Sequence, residues 1–433
     1  MRFAGILVCL AIAVPAATSV AVASPYGLLA PADDPLVYCA GGLDAGVTGA
    51  YTDAEHDVRL PDDPLPTGVT QQRLTVDGVG TRLLRSGPAT AEEAVVFVHG
   101  NPDSARDFDA LLARTGRFGR AVAFDMPGYG RADDGAGLDY STTGAARFIE
   151  RALELLGIQR VHLVLHDFGG SWGLQWATTH LPALRSVTLL DGGLLVGFVG
   201  HPTALTFSTP VAGEAFMAVT DRVGFKTLIG AQNPLPERFL DRLYDDYDRA
   251  TRCAILHYYR SLEDPDALGR RQAAILRPAD VPALVVWGAR DPYVPVSVAG
   301  RQTLAFPRAR IEVLPGIGHW PLAEAADRTE RLVSDFLAER VAAPRLLARV
   351  LRARHGDRRL SVRLSVADAA RTPGVRLVLK RGGRVVGATR ARTVDGVPRR
   401  MAITLSRGLR RGGYSLELHS TELALQRQAI RVR

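Results

Sequence analysis

Val161-His162-Leu163-Val164-Leu165-His166-Asp167-Phe168-Gly169-Gly170-Ser171-Trp172-Gly173 is the stretch on which the reading of this chain turns. Its first half is an apolar run of strand length. Its second half opens on two glycines and continues with helical character through residue 180. A strand that turns at once into a helix lifts one side chain above the carboxyl edge of a sheet, and here that residue is Asp167. Gly169 and Gly170 let the helix approach the strand closely, and a helix N-terminus favours negative charge at that point. Alone, the segment has a second reading in which Asp167 is an N-cap that only ties down the first turn.

Working outward, short apolar runs recur at 94–98, 121–124, 161–165, 187–190, 284–287 and 311–314, with amphipathic stretches at 144–156, 171–180 and 324–340. Continuous apolar strands separated by helices predict a mostly parallel sheet covered on both faces. Before it, 72–76 and 81–85 flank Asp77-Gly78, a hairpin signal. From 192 to about 277 no buried strand is evident and helical patterns such as 236–243 and 250–260 dominate, which predicts a helical lid inserted between two strands.

Three other strand ends hold polar residues. His99-Gly100-Asn101-Pro102 follows 94–98, where a backbone N–H can face the same point as that of Phe168 and form an oxyanion hole. Asn101 either sets the turn before Pro102 or points its amide at a leaving group. Asp291 follows 284–287 in Gly288-Ala289-Arg290-Asp291, and His319 follows 311–314 in Gly316-Ile317-Gly318-His319. Asp167, Asp291 and His319 thus stand in the order nucleophile, acid, base. Asp191, which ends 187–190, is the alternative acid.

On these motifs residues 70–340 resemble the epoxide hydrolase and haloalkane dehalogenase branch of the α/β-hydrolase superfamily, with His166-Asp167-Phe168-Gly169-Gly170 the most specific piece. The resemblance implies an α/β-hydrolase fold over 69–344 with a helical cap at about 192–277. It implies that Asp167 attacks an sp³ carbon to form an alkyl ester, and that His319, oriented by Asp291, activates water to hydrolyse it. A serine would form an ether that water does not readily cleave. No cofactor or metal is implied, and the substrate is expected to be small and apolar.

The leaving group divides the branch. Epoxide opening needs an acid for the departing alkoxide. Leu256-His257-Tyr258-Tyr259-Arg260 resembles the family's ring-opening Tyr-Arg motif, with Tyr259 in the tyrosine position; the other reading is a half-buried lid aromatic. The family's second tyrosine has no clear counterpart, although Tyr244 and Tyr247 lie in the lid. Dehalogenation needs halide donors. Asn101 matches one of them, but Phe168 stands where the resembling enzymes place a tryptophan and offers no side-chain N–H; Trp172 is expected to pack in the core. Epoxide opening is therefore favoured, with dehalogenation the alternative. Ester or lactone hydrolysis, and a wall-binding protein with a non-catalytic body, are further readings.

The ends of the chain differ from its middle. Arg2, an apolar run at 6–14 and Ala21-Val22-Ala23 form a signal-peptide pattern over 1–23, shorter than a membrane span, so a secreted, extracellular or cell-wall-associated protein with no span after cleavage is expected. Residues 24–68 read as an extension rich in Pro, Asp and Gly. Cys39 and Cys253 would remain, as a bridge or as two free thiols. From 345 to 433 the chain holds 22 basic and 5 acidic residues, a formal +17, which leaves −9 for 1–344 against +8 overall. Alternating strand patterns there predict a small all-β, immunoglobulin-like sandwich. Its charge suits an anionic surface such as a cell-wall polymer. No nucleic-acid motif accompanies it.

Overall fold

The computed structural model describes residues 62–134, 137–341, 345–367, 371–395, 398–420 and 426–432, together with a short pairing of Ala23–Ser24 with Gly27–Leu28. The signal-like segment, most of the extension and Cys39 lie outside the described residues. Cys253 is in a disulfide.

The hairpin signal forms β1 (Val69–Val76) and β2 (Val79–Ser86), joined at Asp77 (φ 47°) and Gly78 (φ 89°). Positive φ at both turn residues is what a tight two-residue hairpin requires. Then follow β3 (Glu93–Val98), α1 (Asp109–Thr115), β4 (Arg120–Phe124), α2 (Thr142–Leu155), β5 (Arg160–His166), α3 (Phe168–Thr179) and β6 (Leu184–Leu190). The lid helices are α4 (Pro202–Ser208), α5 (Ala212–Val219), α6 (Arg222–Gly230), α7 (Glu237–Asp245), α8 (Arg249–Ser261) and α9 (Pro265–Leu276). The chain returns to the sheet with β7 (Ala283–Gly288) and β8 (Arg310–Leu314), followed by α10 (Pro321–Glu324) and α11 (Ala326–Ala338).

The strands order as β8-β7-β6-β5-β3-β4-β2-β1. Those from β8 to β4 run parallel; β2 and β1 are antiparallel at one edge. Because side chains alternate across a strand, Val96, Leu163 and Val285 face one core while Val95, Phe97 and Val164 face the other. Burial on both faces is why these strands read as unbroken apolar runs. The lid is fastened to the sheet by buried charge. Arg82 on β2 meets Asp125 after β4 at 2.9 Å and Asp246 after α7 at 3.3 Å, with all three side chains almost fully enclosed.

The expected all-β C-terminal unit is present: β9 (Arg345–Arg352), β10 (Arg359–Ala367), β11 (Arg371–Arg381), β12 (Arg384–Asp395), β13 (Arg399–Leu405), β14 (Gly412–His419) and β15 (Gln426–Val432). Its backbone ladder is continuous, in the order β9-β10-β13-β12-β11-β14-β15. Two arms, β9-β10-β13 and β12-β11-β14-β15, meet where Gly387 and Ala388 pair with Leu405 and Thr404. Both arms contribute to one core, through Leu360, Val362 and Ile403 on one and Val375, Leu377 and Leu416 on the other.

Candidate active site

Asp167 occupies the turn between β5 and α3 with φ 49° and ψ −122°. A non-glycine residue in that region is held by its surroundings against its own preference. The local sequence permits it: a Cβ on Gly169 would meet the carbonyl oxygens of Val98 and His99, and one on Gly170 the backbone of Gly193. The Asp167 side chain is 15% exposed, so it is reachable from above. Asp167 makes no N-cap hydrogen bond with its own helix.

Its two oxygens have different neighbours. Oδ1 accepts the Asn101 N–H at 2.9 Å. Oδ2 lies 3.3 Å from His319 Nε2. His319 Nδ1 is 2.8 Å from Asp291 Oδ2, and Asp291 Oδ1 accepts the N–H groups of Tyr293 and Val294 at 2.8 and 2.9 Å. The structure therefore brings Asp167, His319 and Asp291 into one chain of contacts. Burial works against a charge on His319, yet Asp291 and Asp167 on either side hold its proton well above the ordinary histidine range. The alternative acid Asp191 is elsewhere engaged: its Oδ1 accepts the Gly288 N–H at 2.7 Å, and burial followed by the nearby Asp291 charge pushes its carboxyl far up.

Gly100 and His99 hold Asn101 in place. His99 is enclosed, with Nδ1 on the Gly100 carbonyl at 2.8 Å and Nε2 accepting the Met126 N–H at 2.9 Å. Gly100 lies against Asp167 so closely that a Cβ there would overlap the Asp167 Cβ and Oδ1. Gly100→Ala should push the carboxylate off the Asn101 N–H. By analogy with loss of an oxyanion donor, kcat/KM should fall by about 10²-fold or more with the near-UV circular dichroism unchanged. An alanine variant with wild-type kinetics would remove that loop from the chemistry.

Tyr259 projects from α8 into the cavity below the lid, where its ring meets Phe168 edge to face at 5.1 Å. Burial, reinforced by the Asp167 carboxylate, pushes its hydroxyl pKa up. Of Tyr244 and Tyr247, Tyr247 lines the same inner cavity as Tyr259. Both pack on Phe225, and the Tyr247 hydroxyl meets the Met217 sulfur at 2.7 Å. Trp172 is enclosed behind Phe168, the two rings stacked at 5.7 Å.

Two participants escape the sequence reading. The first is His201, N-cap of α4. Its Nδ1 accepts the Ala204 N–H at 3.2 Å, and its Nε2 lies 3.3 Å from the Tyr259 hydroxyl. With Nδ1 occupied as an acceptor, the ring's proton belongs on Nε2. Burial lowers the His201 pKa and favours this neutral form. A histidine before a proline at a helix start was the available signal. The second is Asp103. Its carboxylate meets His166 Nδ1 at 2.6 Å and accepts the Trp320 indole N–H at 2.7 Å. His166 Nε2 in turn donates to the His319 carbonyl at 2.9 Å, while Asn233 of the lid accepts the His319 N–H at 3.0 Å. Burial opposes the Asp103 charge, but His166 holds the carboxyl well below the usual range. The backbone of His319 is thereby fixed from both sides.

Above Asp167 an inner cavity is walled by Phe207, Phe216, Phe225 and Ile255. An outer groove of about 1740 Å³ is walled by Leu195, Phe198, Leu205 and Leu262. The two share Asp167, His201, Tyr259 and Tyr293. Among the described residues no group of His, Cys, Asp and Glu stands at metal-binding spacing, and no helix is long and apolar enough to cross a membrane.

A strand–turn–helix elbow with an acid and a histidine on neighbouring strand ends defines a class. The alpha/beta hydrolase fold family matches residues 93–326, more than half of the chain, and the chain belongs to it. It is a hydrolase of that fold. The chain is similar to a 2-hydroxy-6-oxononadienedioate/2-hydroxy-6-oxononatrienedioate hydrolase of Burkholderia vietnamiensis, 28% identical over 282 residues, which cover 60% of this chain and 92% of that protein. The Cif epoxide hydrolase from Acinetobacter nosocomialis superposes with a TM-score of 0.55 at 18% identity, covering 63% of this chain and 90% of that one. The haloalkane dehalogenase DatA from Agrobacterium tumefaciens does so with a TM-score of 0.56 at 21% identity, covering 63% and 97%. At such identities the likeness to the solved structures is one of fold.

Proposed function

We propose that this chain is an exported epoxide hydrolase working through an ester on Asp167. The observation that supports it most is the pairing of the Tyr259 hydroxyl with His201 Nε2 beside Asp167. A phenol O–H supported by a histidine N–H beside a carboxylate suits an oxygen leaving group, which must gain a proton as its C–O bond breaks. A halide leaves without taking a proton and needs donors of its own, and the Phe168 side chain offers that ion none.

In this reading Asp167 Oδ2 attacks an epoxide carbon, the C–O bond breaks, and the alkoxide takes the Tyr259 proton while His201 steadies it. Asp167 Oδ1 becomes the ester carbonyl oxygen at the Asn101 N–H. Ester formation removes one of the two carboxylates that hold the His319 proton. The proton then passes to the Tyr259 phenolate, and His319 becomes a free base. It deprotonates water for attack on the Asp167 carbonyl carbon, protonates the departing diol oxygen, and regains a proton from the released carboxylic acid. Asp291 keeps the imidazole oriented throughout. The meeting of two apolar cavities at Asp167 suits an epoxide with a substituent on each side. Export fits the disulfide at Cys253, since such bonds persist in oxidising compartments.

The test is a comparison of kcat/KM for styrene oxide, 1-bromobutane and p-nitrophenyl butyrate with the purified full chain. Diol formation should dominate. Bromide release faster than diol formation would replace this proposal with dehalogenation, and turnover of the ester alone would sink the aspartate mechanism.

A further inference from the structure

Like charges directly opposite each other on adjacent strands destabilise a sheet, yet the C-terminal sheet is built with them. Arg349 on β9 pairs with Arg363 on β10, and Arg363 pairs with Arg400 on β13. All three are exposed. They share the face opposite Val362, Leu364 and Ile403, so the core does not require them. Among the described residues no carboxylate pairs with any of the three. Arg376 on β11 and Arg390 on β12 repeat the arrangement on the second arm. Beside the first row lies a cleft of about 830 Å³ lined by Arg349, Arg363, Ser365, Gln426, Arg427 and Gln428. The edge strands β9 and β15 approach each other across it, and it extends the row toward Arg427.

We propose that the Arg349–Arg363–Arg400 row and the adjoining cleft bind a linear polyanion bearing phosphates. Strands are about 4.8 Å apart, so the row sets guanidinium groups at intervals of a few ångströms along a line that crosses three strands. A point anion would use one or two of them; an extended chain of anions uses all. The planar guanidinium fork matches phosphate oxygens bidentately. Such a partner relieves the repulsion that the free sheet carries, and the negative balance of residues 1–344 leaves the basic charge concentrated on this unit.

The test compares three full-length chains: wild type, a ladder variant (Arg349→Ser, Arg363→Ser, Arg400→Ser) and a control variant with the same charge change in loops (Arg354→Ser, Arg358→Ser, Arg407→Ser). Binding of fluorescent long-chain inorganic polyphosphate is measured over a salt series. The ladder variant should bind at least about 10-fold more weakly at physiological salt, and the slope of log affinity against log salt should shrink by about 2 to 3. The control should change by less than about 3-fold, as bulk charge alone would give. The ladder variant should also melt at a higher temperature than wild type, because repulsive pairs are gone. Equal losses in both variants, absence of polyphosphate binding by wild type, or a lower melting temperature of the ladder variant would each overturn the proposal. So would tighter binding to phosphatidylglycerol vesicles or to duplex DNA than to polyphosphate, since the partner would then be a lipid surface or a nucleic acid.

Discussion

His319→Gln is expected to lower steady-state turnover of an epoxide by about 10²- to 10⁴-fold and to leave a covalent ester on Asp167. The two results belong together. In the proposed mechanism the first step uses Asp167 Oδ2 and the Tyr259–His201 pair, none of which the substitution removes. The second step needs a base within reach of a water near the Asp167 carbonyl, and His319 Nε2, 3.3 Å from Oδ2, is the group so placed. Glutamine is close in size and keeps a polar group near Asp291 Oδ2, so the buried acid is not left bare. Intact-protein mass after mixing with styrene oxide should rise by the mass of one epoxide, and peptide mapping should place it on the 161–173 segment. A folded variant that gains no mass, or gains it elsewhere, would show that Asp167 is not the nucleophile.

Tyr259→Phe is expected to cut kcat/KM for the epoxide by about 10²- to 10³-fold, the range typical of a lost general acid. The ring contacts with Phe168 and with Phe207, at 5.1 and 5.2 Å, survive in phenylalanine, so the change isolates the hydroxyl. Any turnover of p-nitrophenyl butyrate should move by less than about 3-fold, because nitrophenolate leaves without help from an acid. His201→Asn is the partner experiment. Asparagine is a good N-cap, so α4 keeps its first turn while the Nε2 donor is lost. The double variant should be little worse than the worse single one, as expected of groups that act as a unit. Equal losses on epoxide and ester would mean that Tyr259 shapes the pocket and supplies no proton.

The sequence reading reached some parts of this molecule and missed others for definite reasons. Asp167 and Asp291 each follow a strand buried on both faces, which stands out as an apolar run that ends abruptly, whereas β8 before His319 is a partly exposed edge strand marked by Ile311, Val313 and Leu314. Their ends are marked, so the residues just beyond them can be picked out. His201 follows no strand. It starts a short lid helix, and its importance lies in a partner 58 positions away on α8, which no local pattern reveals. Asp103 looks like an ordinary turn residue after Pro102; its role arises because the fold returns His166 and Trp320 to it from two other segments. In the C-terminal sheet, the edge strands β9 and β15 are hard to read because they lack a sharp alternation. Residues 345–352 and 426–432 mix arginine, leucine and glutamine in no fixed order. The cross-strand alignment of arginines is equally invisible along the chain, since it depends on register.

The cap at His201 ties the state of a proton to the state of a helix. While α4 is wound, the Ala204 N–H occupies Nδ1 and the ring can only present Nε2–H to Tyr259. If the first turn of α4 frays, Nδ1 is freed, the imidazole can exchange tautomers, and the donor beside Asp167 turns into an acceptor. Loss of that first turn would thus remove the donor to Tyr259, and rewinding would restore it. Conformation and protonation are one variable at this residue, so a probe of α4 order, such as hydrogen exchange at the Ala204 amide, doubles as a reading of whether the site is armed.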